Sequence, residues 1–549
     1  MPAAASYTPP RSRIWKETET QPQLISWAEA RIAIVAIATV LAVAFRVSAL
    51  STYGFSEDEL NKVQAVEEYR AGHFSANAEH PMLMKLAMWG SAALANEWNR
   101  IVPPDQSIPA ETAFRLPNAI AGAATTVALF VLADLLFGPT VGVVASVIWA
   151  FDVNAIAINR IGKEDTFLLL FFLLGIVFYE RAKRIGRVSE TSARTTAQTW
   201  YTLSGATFGL MFASKYMPHF LGIYALFNLL TDPNPASNKP HRLRHFGAMG
   251  AAFLAANAAI LLPATWRYIP SYVQGDMLMH HGYLYNGAMY VTDVVISPLG
   301  VPFTYYLRLL ATKVPLVVLA ALIPGVIELV RRREERGFVF LRVLAVFFIV
   351  PYSLMAPKFL RYSLPMLATV DLIAAVGLVS GISWLLRKGW LTRATKWSVA
   401  PAAVVVFFSG LLVAERSAPP FYSLFRNEIG MRLDPALTTF PEQTYDYGVR
   451  ESVAAIAAVA EPTAVIATDA PVVAAHYVRL DGRPDIEVRS LSESGMSSGP
   501  HQGWVIVQDE HRSFENELIV EQLRARAKPW AEFRMAEVVA AQVFRLEEK

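Results

Sequence analysis

Long apolar runs alternate with short charged connections along this chain, and the runs set the expected architecture. A helix that crosses a bilayer needs about 20 mostly apolar residues. Eleven stretches meet or approach that length: 32–50, 113–137, 140–157, 166–183, 199–214, 217–231, 246–265, 313–331, 338–356, 362–386 and 397–415. Lys215 and Pro218 interrupt the fifth and sixth. Two helices joined by a tight turn are expected there, because a lysine at the bilayer centre costs about 3 kcal/mol on insertion scales. The first stretch is too long for a cleavable leader, and Arg11, Arg13, Lys16 and Arg31 before it read as an anchor flank. After residue 416 the period changes. Short apolar runs at 464–467, 486–488, 504–507 and 538–544 alternate with helical patterns at 447–460 and 514–527, behind a Pro419-Pro420 linker. That alternation predicts a small α/β domain. The expected organisation is a cytoplasmic tail at 1–31, a helical membrane domain at 32–415 and an extracytoplasmic α/β domain at 416–549. Outer loops fall at 51–112, with amphipathic helices, and at 266–312.

Composition narrows the class without changing that picture. Of 549 residues 54% are hydrophobic and 17% charged, against roughly 25% charged in an average soluble domain, and the mean hydropathy is +0.34. A net charge of +3 over this length leaves no basic footprint for nucleic acid. The absence of cysteine excludes disulfides, thiolate catalysis and cysteine-ligated metals. Lysine and arginine in the connections orient the spans. Five basic segments fall on one side only if there are eleven spans: the N-terminal tail, Arg181 to Arg187, Lys239 to Arg244, Arg331 to Arg336, and Arg387 to Lys396. That side is the cytoplasm, which places Lys549 outside.

The candidate chemistry then collects on the outer face. Ser56-Glu57-Asp58-Glu59 opens a helical pattern. Ser56 and Glu59 suit a capping box, which leaves Asp58 free to face a cleft as a general base. His80-Pro81-Met82-Leu83-Met84-Lys85 starts a second helix in the same loop, where His80 suits a structural hydrogen bond as well as a ligand and Lys85 suits snorkelling. Arg160-Ile161-Gly162-Lys163-Glu164-Asp165 packs two cations and two acids into one turn between apolar helices. Such charge is either a local ion-pair staple or a site. Lys215, Lys358 and Arg361 add cations from two further turns. Basic pockets between helices bind phosphorylated headgroups, and a cation clamp plus a carboxylate base is what transfer from a phospholipid-linked donor requires. His280-His281 are adjacent, so one rigid metal site would not use both.

In order along the chain these segments resemble the protein O-mannosyltransferase family and its bacterial relatives, GT-C glycosyltransferases that use polyprenyl-phosphate sugars. Asp58-Glu59 is similar to the family's acidic pair, and His80-Pro81-x-Leu83-x-Lys85 to its HPPLGK motif, with Met82 and Met84 in place of the second proline and the glycine. Arg115, Arg160 with Asp165, Ser214-Lys215 and the run Lys358 to Pro365 follow in the family's order. The stretch Pro419-Pro420-Phe421-Tyr422 through Asn427-Glu428-Ile429-Gly430, then Phe440-Pro441 and Tyr447-Gly448, resembles the segment leading into the outer domain of bacterial members. The loop 266–312 is too short for the β-trefoil of eukaryotic members, and the aminoarabinose transferases of lipid A share the architecture.

The resemblance implies an inverting, single-displacement enzyme of a bacterial inner membrane. It would move a monosaccharide, mannose by preference, from a polyprenyl-phosphate carrier to a hydroxyl of a periplasmic protein, serine or threonine favoured, or of a glycolipid such as lipid A. Asp58 would be the base, with Asp165 and Glu59 orienting the acceptor, offsetting the cations or holding a divalent cation. His80, Lys85, Arg115, Arg160, Lys163, Lys215, Lys358 and Arg361 would line the substrate site. The rival from another class is a secondary transporter or lipid flippase. Internal repeats and mid-span charges mark that class; no repeat is visible, and the charges singled out above sit at outer helix ends.

Overall fold

The computed structural model describes residues 27–186, 191–232, 239–267, 283–291, 297–387, 393–492, 503–509 and 514–546. The basic tail before residue 27 and the His280-His281 pair lie outside these residues. Helices cover the apolar stretches: α1 Trp27–Val47, α4 Ala110–Phe137, α5 Pro139–Phe151, α6 Val153–Asn159, α7 Asp165–Gly186, α8 Thr191–Ser214, α9 Pro218–Thr231, α10 Lys239–Ala256, α12 Leu316–Arg331, α13 Arg336–Leu354, α14 Leu364–Arg387 and α15 Arg393–Ser417. Between them lie α2 Glu57–Arg70, α3 Leu83–Ile101 and α11 Tyr305–Lys313.

Three stretches differ from expectation. The third is broken, α5 and α6 meeting at 61°, because Asp152 turns its carboxylate onto the amides of Asn154 and Ala155 (2.9 and 3.1 Å) and starts a new helix. The break frees carbonyls at the end of α5, and Arg46 of α1 takes them: its guanidinium donates to Trp149 O at 3.0 Å, Ala150 O at 3.3 Å and Asn159 Oδ1 at 2.9 Å. The seventh helix stops at Ala256, not 265, and a 3-10 turn Ala258–Leu261 follows. The eighth stretch is the helix α12, which starts at Leu316, not 313, after a 118° bend from α11. By length and composition five helices among the described residues can each cross a membrane, or seven if each bent pair is one span. The eleven stretches exceed that number because helices such as α9, with 14 residues, and α10, opening on Lys239, Arg242 and Arg244, fail on length or charge.

Contacts between connections reveal the back-and-forth path. Asp58 meets Lys163 and Arg361, and Asp165 meets Lys215, so the connections after α1, α6, α8 and α13 share one end of the helices. Lys183 meets Asp232, and Arg336 meets Glu180, so the connections after α7, α9 and α12 share the other. The second end carries Lys183, Arg184 and Arg336 of the basic segments.

The first end also carries a hairpin, β1 Tyr283–Tyr285 and β2 Ala288–Tyr290, turned by Asn286-Gly287 at positive φ. Beyond α15 come α16 Glu428–Leu433, α17 Val449–Ala457, α18 Pro471–Leu480 and α19 Phe514–Arg526. The strands are β3 Val465–Thr468, β4 Glu487–Ser490, β5 Gly503–Gln508, β6 Ala531–Met535 and β7 Val538–Leu546. They form one sheet in the order β4-β3-β5-β7-β6, with β3 parallel to both neighbours and β7 antiparallel to both of its own. One apolar core runs from Trp149, Phe172 and Leu367 in the helices through Leu60 of α2 to Val453 and Ile466 beside the sheet.

Candidate active site

The site is built outward from the first turn of α2. Ser56 Oγ accepts the Glu59 amide at 3.4 Å and Glu59 Oε2 accepts the Ser56 amide at 3.1 Å, closing the capping box. That box turns Glu59 into the protein. Asp58, about 100° back around the helix, faces outward. Lys163 Nζ lies 2.6 Å and an Arg361 nitrogen 3.3 Å from Asp58 Oδ2. The carboxylate is 43% exposed while the two cations are 4% and 13% exposed, so the acid sits at the mouth and the cations form the wall. Arg361 is stacked on the rings of Phe359 and Tyr362 and reaches Glu442 at 3.4 Å.

A second layer lies behind. Lys215 pairs with Asp165 at 2.7 Å, its ammonium 4.9 Å from the centre of the Tyr362 ring. Glu164 lies 3.5 Å from Lys62 and 3.7 Å from His80, and neither of its buried oxygens is hydrogen-bonded among the described residues. Burial pushes the Asp58 carboxyl up, but Lys163, Arg361 and Lys62 outweigh it and hold it well below the usual carboxylate range. Burial, with Lys62 and Arg361 adding to it, pulls Lys163 down to about 8 against the opposing charge of Asp58. Burial also drives His80 well below the usual imidazole range despite Glu164, so His80 is neutral at pH 7. Lys215 is pushed up, since Asp165, Tyr362 and Glu164 outweigh burial.

Asp58, Lys163, Arg361, Asp165, Lys215 and His80 are thus brought together as the sequence led us to expect. Five other expected site residues are committed elsewhere. Arg115 gives its donors to Glu59 (2.8 and 2.7 Å), Leu50 O, Tyr53 O and Gly54 O. Glu59 is occupied in turn by Arg115, Ser56 and the Gly162 amide at 2.8 Å, so it fixes α2 to the 160–165 turn. Arg160 closes the end of α1 through Phe45 O, Ser48 O and Ala49 O and stacks on Tyr422. Lys85 spends its donors on Asn77 O, Asn77 Oδ1 and His80 O. Lys358 donates to Val301 O and Met355 O. Their bonds within the protein hold the walls of the pocket in place.

Lys62, Glu164 and Glu442 join the site without having been singled out. Lys62 stands four residues after Asp58 on one helix, an i,i+4 spacing that puts both on one face. Glu164 lies inside the charged turn already noted. Glu442 has no local signal, since its partner Arg361 is 81 residues away in sequence. The loop before Asp58 is held from the sheet side. The Phe55 amide donates to Tyr477 Oη at 2.6 Å, and Tyr477 donates to Glu111 Oε1 at 3.0 Å. The Glu57 amide donates to Asp446 Oδ2 at 2.8 Å, and Arg450 takes Ser51 O and Thr52 O at 3.1 and 3.0 Å. Gly54 is needed there, because a Cβ would stand 2.8 Å from Tyr477 Oη.

Residues 107–261 match the family described as dolichyl-phosphate-mannose-protein mannosyltransferase, the family that the motifs resemble. Among solved structures, ArnT from Cupriavidus metallidurans bound to undecaprenyl phosphate superimposes with a TM-score of 0.52 at 14% identity, over 94% of this chain and 98% of that one. The Archaeoglobus fulgidus oligosaccharyltransferase in its apo form gives 0.51 at 10% identity, over 88% and 70%. The fold is that of the GT-C glycosyltransferases. A further GT-C structure, AglB from A. fulgidus with an inhibitory peptide and a dolichol-phosphate, gives 0.50 at 10% identity over 84% and 65%. No curated protein matches the chain by sequence.

Proposed function

We propose that the protein is an inverting membrane glycosyltransferase that moves a monosaccharide from a polyprenyl-phosphate carrier to an acceptor hydroxyl on the extracytoplasmic side. The observation that carries this reading is Asp58 held at the mouth of the pocket between Lys163 and Arg361. A carboxylate so clasped is a weak base, because its partners stabilise its charge. A carrier phosphate arriving at the same cations competes for them and raises the proton affinity of Asp58, so donor binding itself prepares the base. The acceptor hydroxyl then gives its proton to Asp58 while its oxygen bonds to the anomeric carbon. The bond from that carbon to the phosphate oxygen breaks on the opposite face, its electron pair leaving with the phosphate. Lys163, Arg361 and Lys215 receive the added negative charge. Among the described residues no three His, Asp or Glu side chains are grouped to hold a metal ion, and cations occupy the space beside Asp58 and Asp165, so no step is routed through a divalent cation.

Eleven traversals with a cytoplasmic N-terminus, in a bacterial inner membrane, suit this reading, since the site and the sheet then lie outside and the basic connections inside. Mannose and a protein serine or threonine are the favoured sugar and acceptor on the family match; a glycolipid acceptor is the alternative. The buried Arg46 at the broken α5/α6 span weighs against a transporter, because its donors are used in stapling the break. The test is the full chain in detergent with radiolabelled polyprenyl-phosphate mannose and, in separate arms, serine/threonine peptides or lipid A. Label should reach one acceptor with wild type and neither with Asp58→Asn. Carrier moved across a vesicle membrane with no label transferred would sink the proposal in favour of a flippase.

A further inference from the structure

A second polar–apolar space lies at the basic end of the helices, away from the transfer site. α10 packs on α8, and α9 packs on α13 and α7, so a cleft stays open between α9 and α10. It holds a cavity of about 320 Å³. Its outward wall is apolar: Leu229 and Phe246 line it and are 70% and 51% exposed. Its other end carries charge. Lys183 Nζ donates to Asn228 Oδ1 at 2.8 Å and pairs with Asp232 Oδ2 at 3.0 Å, which leaves one of its three N–H donors. His241, stacked on Tyr201 at 4.8 Å, has a buried Nδ1 with no hydrogen-bond partner among the described residues. Arg242 adds a second cation to the lining beside the Asp232 carboxylate, while Glu180, one turn before Lys183, is paired with Arg336.

An apolar wall facing the hydrocarbon, joined to a cationic end at the membrane surface, matches an amphiphile with an anionic head. We propose that the α9–α10 cleft binds one anionic phospholipid, its phosphate toward Lys183, His241 and Arg242 and an acyl chain against Leu221, Ala225, Leu229 and Phe246. Basic pockets between spanning helices take such headgroups. The exposed apolar wall argues for a lipid over soluble phosphate, which would leave that wall uncovered. The site lies at the opposite end from Asp58, so it stands apart from the proposed transfer reaction.

The test is native mass spectrometry of the full chain, delipidated in mild detergent and titrated with phosphatidylglycerol or phosphatidylcholine. One phosphatidylglycerol should bind at least tenfold more tightly than phosphatidylcholine. The double variant Lys183→Gln/Arg242→Gln should lose that preference, and Ala225→Trp, which fills the cavity, should lose binding of both. Equal binding of the two lipids by wild type overturns the proposal without reliance on any variant, as does unchanged binding to Ala225→Trp. Competition by millimolar inorganic phosphate alone assigns the site to a soluble anion and also overturns it. Selective displacement by undecaprenyl phosphate would make it a carrier site instead, which likewise overturns the phospholipid assignment.

Discussion

Individual side chains divide into those with donors to spare and those already spent, and that division governs what substitution does. Arg115 and Arg361 look alike in sequence, each a lone arginine near an apolar run. Arg115 is buried in a bidentate pair with Glu59, so Arg115→Met should cost about 3–5 kcal/mol through the stranded carboxylate, seen as a large fall in thermal stability. Arg361→Ala should instead weaken donor binding by about 1–3 kcal/mol with the fold retained, measured by titration in detergent. Asp58→Asn should lower turnover by about 10²–10⁴ while donor affinity is kept or rises, since the carboxylate no longer competes for Lys163 and Arg361; normal turnover, with Asp165→Asn inactive, would move the base to Asp165. Lys163, at about 8 in the folded protein, is charged at pH 7 and loses its proton as pH rises through 8, so donor affinity should fall above that pH. Stability moves the other way. The unfolded chain binds the extra proton between about 8 and 10.5, so this lysine's contribution to stability rises across that window. Acid works on Asp58: its carboxyl lies below the unfolded value, so its stabilising share is present near neutrality and is lost as pH falls through the folded value.

At the scale of elements, the capped start of α2 and the charged turn 160–165 were legible because both announce themselves in adjacent residues. Asp58, Lys163 and Asp165 followed from them. The roles of Arg160, Lys85 and Lys358 were not legible, because their partners are backbone carbonyls, which every residue carries and no composition marks. The same holds for the break between α5 and α6: the cap by Asp152 lies hidden inside an apolar stretch, and its companion Arg46 is separated from Trp149 by 103 residues. Replacing Arg46 by Met should leave the Trp149 and Ala150 carbonyls unsatisfied among apolar helices, at several kcal/mol, with a sharp loss of folded protein in detergent by size-exclusion chromatography. The strand Ala531–Met535 and helix α18 escaped the periodicity altogether. In α18, Tyr477 matters more than its helix. Tyr477→Phe leaves the Phe55 amide without its acceptor, so turnover should fall with donor affinity unchanged, while Tyr477→Ala should also unfold the joint.

For the whole molecule, the hydrophobic pattern located the helices; five among the described residues, or seven with the bent pairs, are long and apolar enough to cross by themselves, while short or charged helices such as α9 and α10 gain their place by packing. A phosphatase fused after residue 335 should be silent and one after residue 549 active; the reverse would invert the membrane orientation and remove the site from the outside. The clasp between the 51–57 loop and the sheet also sets a schedule. Phe55 is synthesised 422 residues before Tyr477, and a ribosome adding about 5–20 residues per second needs roughly 20–80 seconds to cover that interval. Through that time the first helices are already in the bilayer among carrier lipids, with the loop that aims Asp58 still unfastened. On the proposed reading the site is therefore armed last: a nascent or truncated chain would sit in the membrane without drawing on a carrier pool, and only the finished protein would close its own catch.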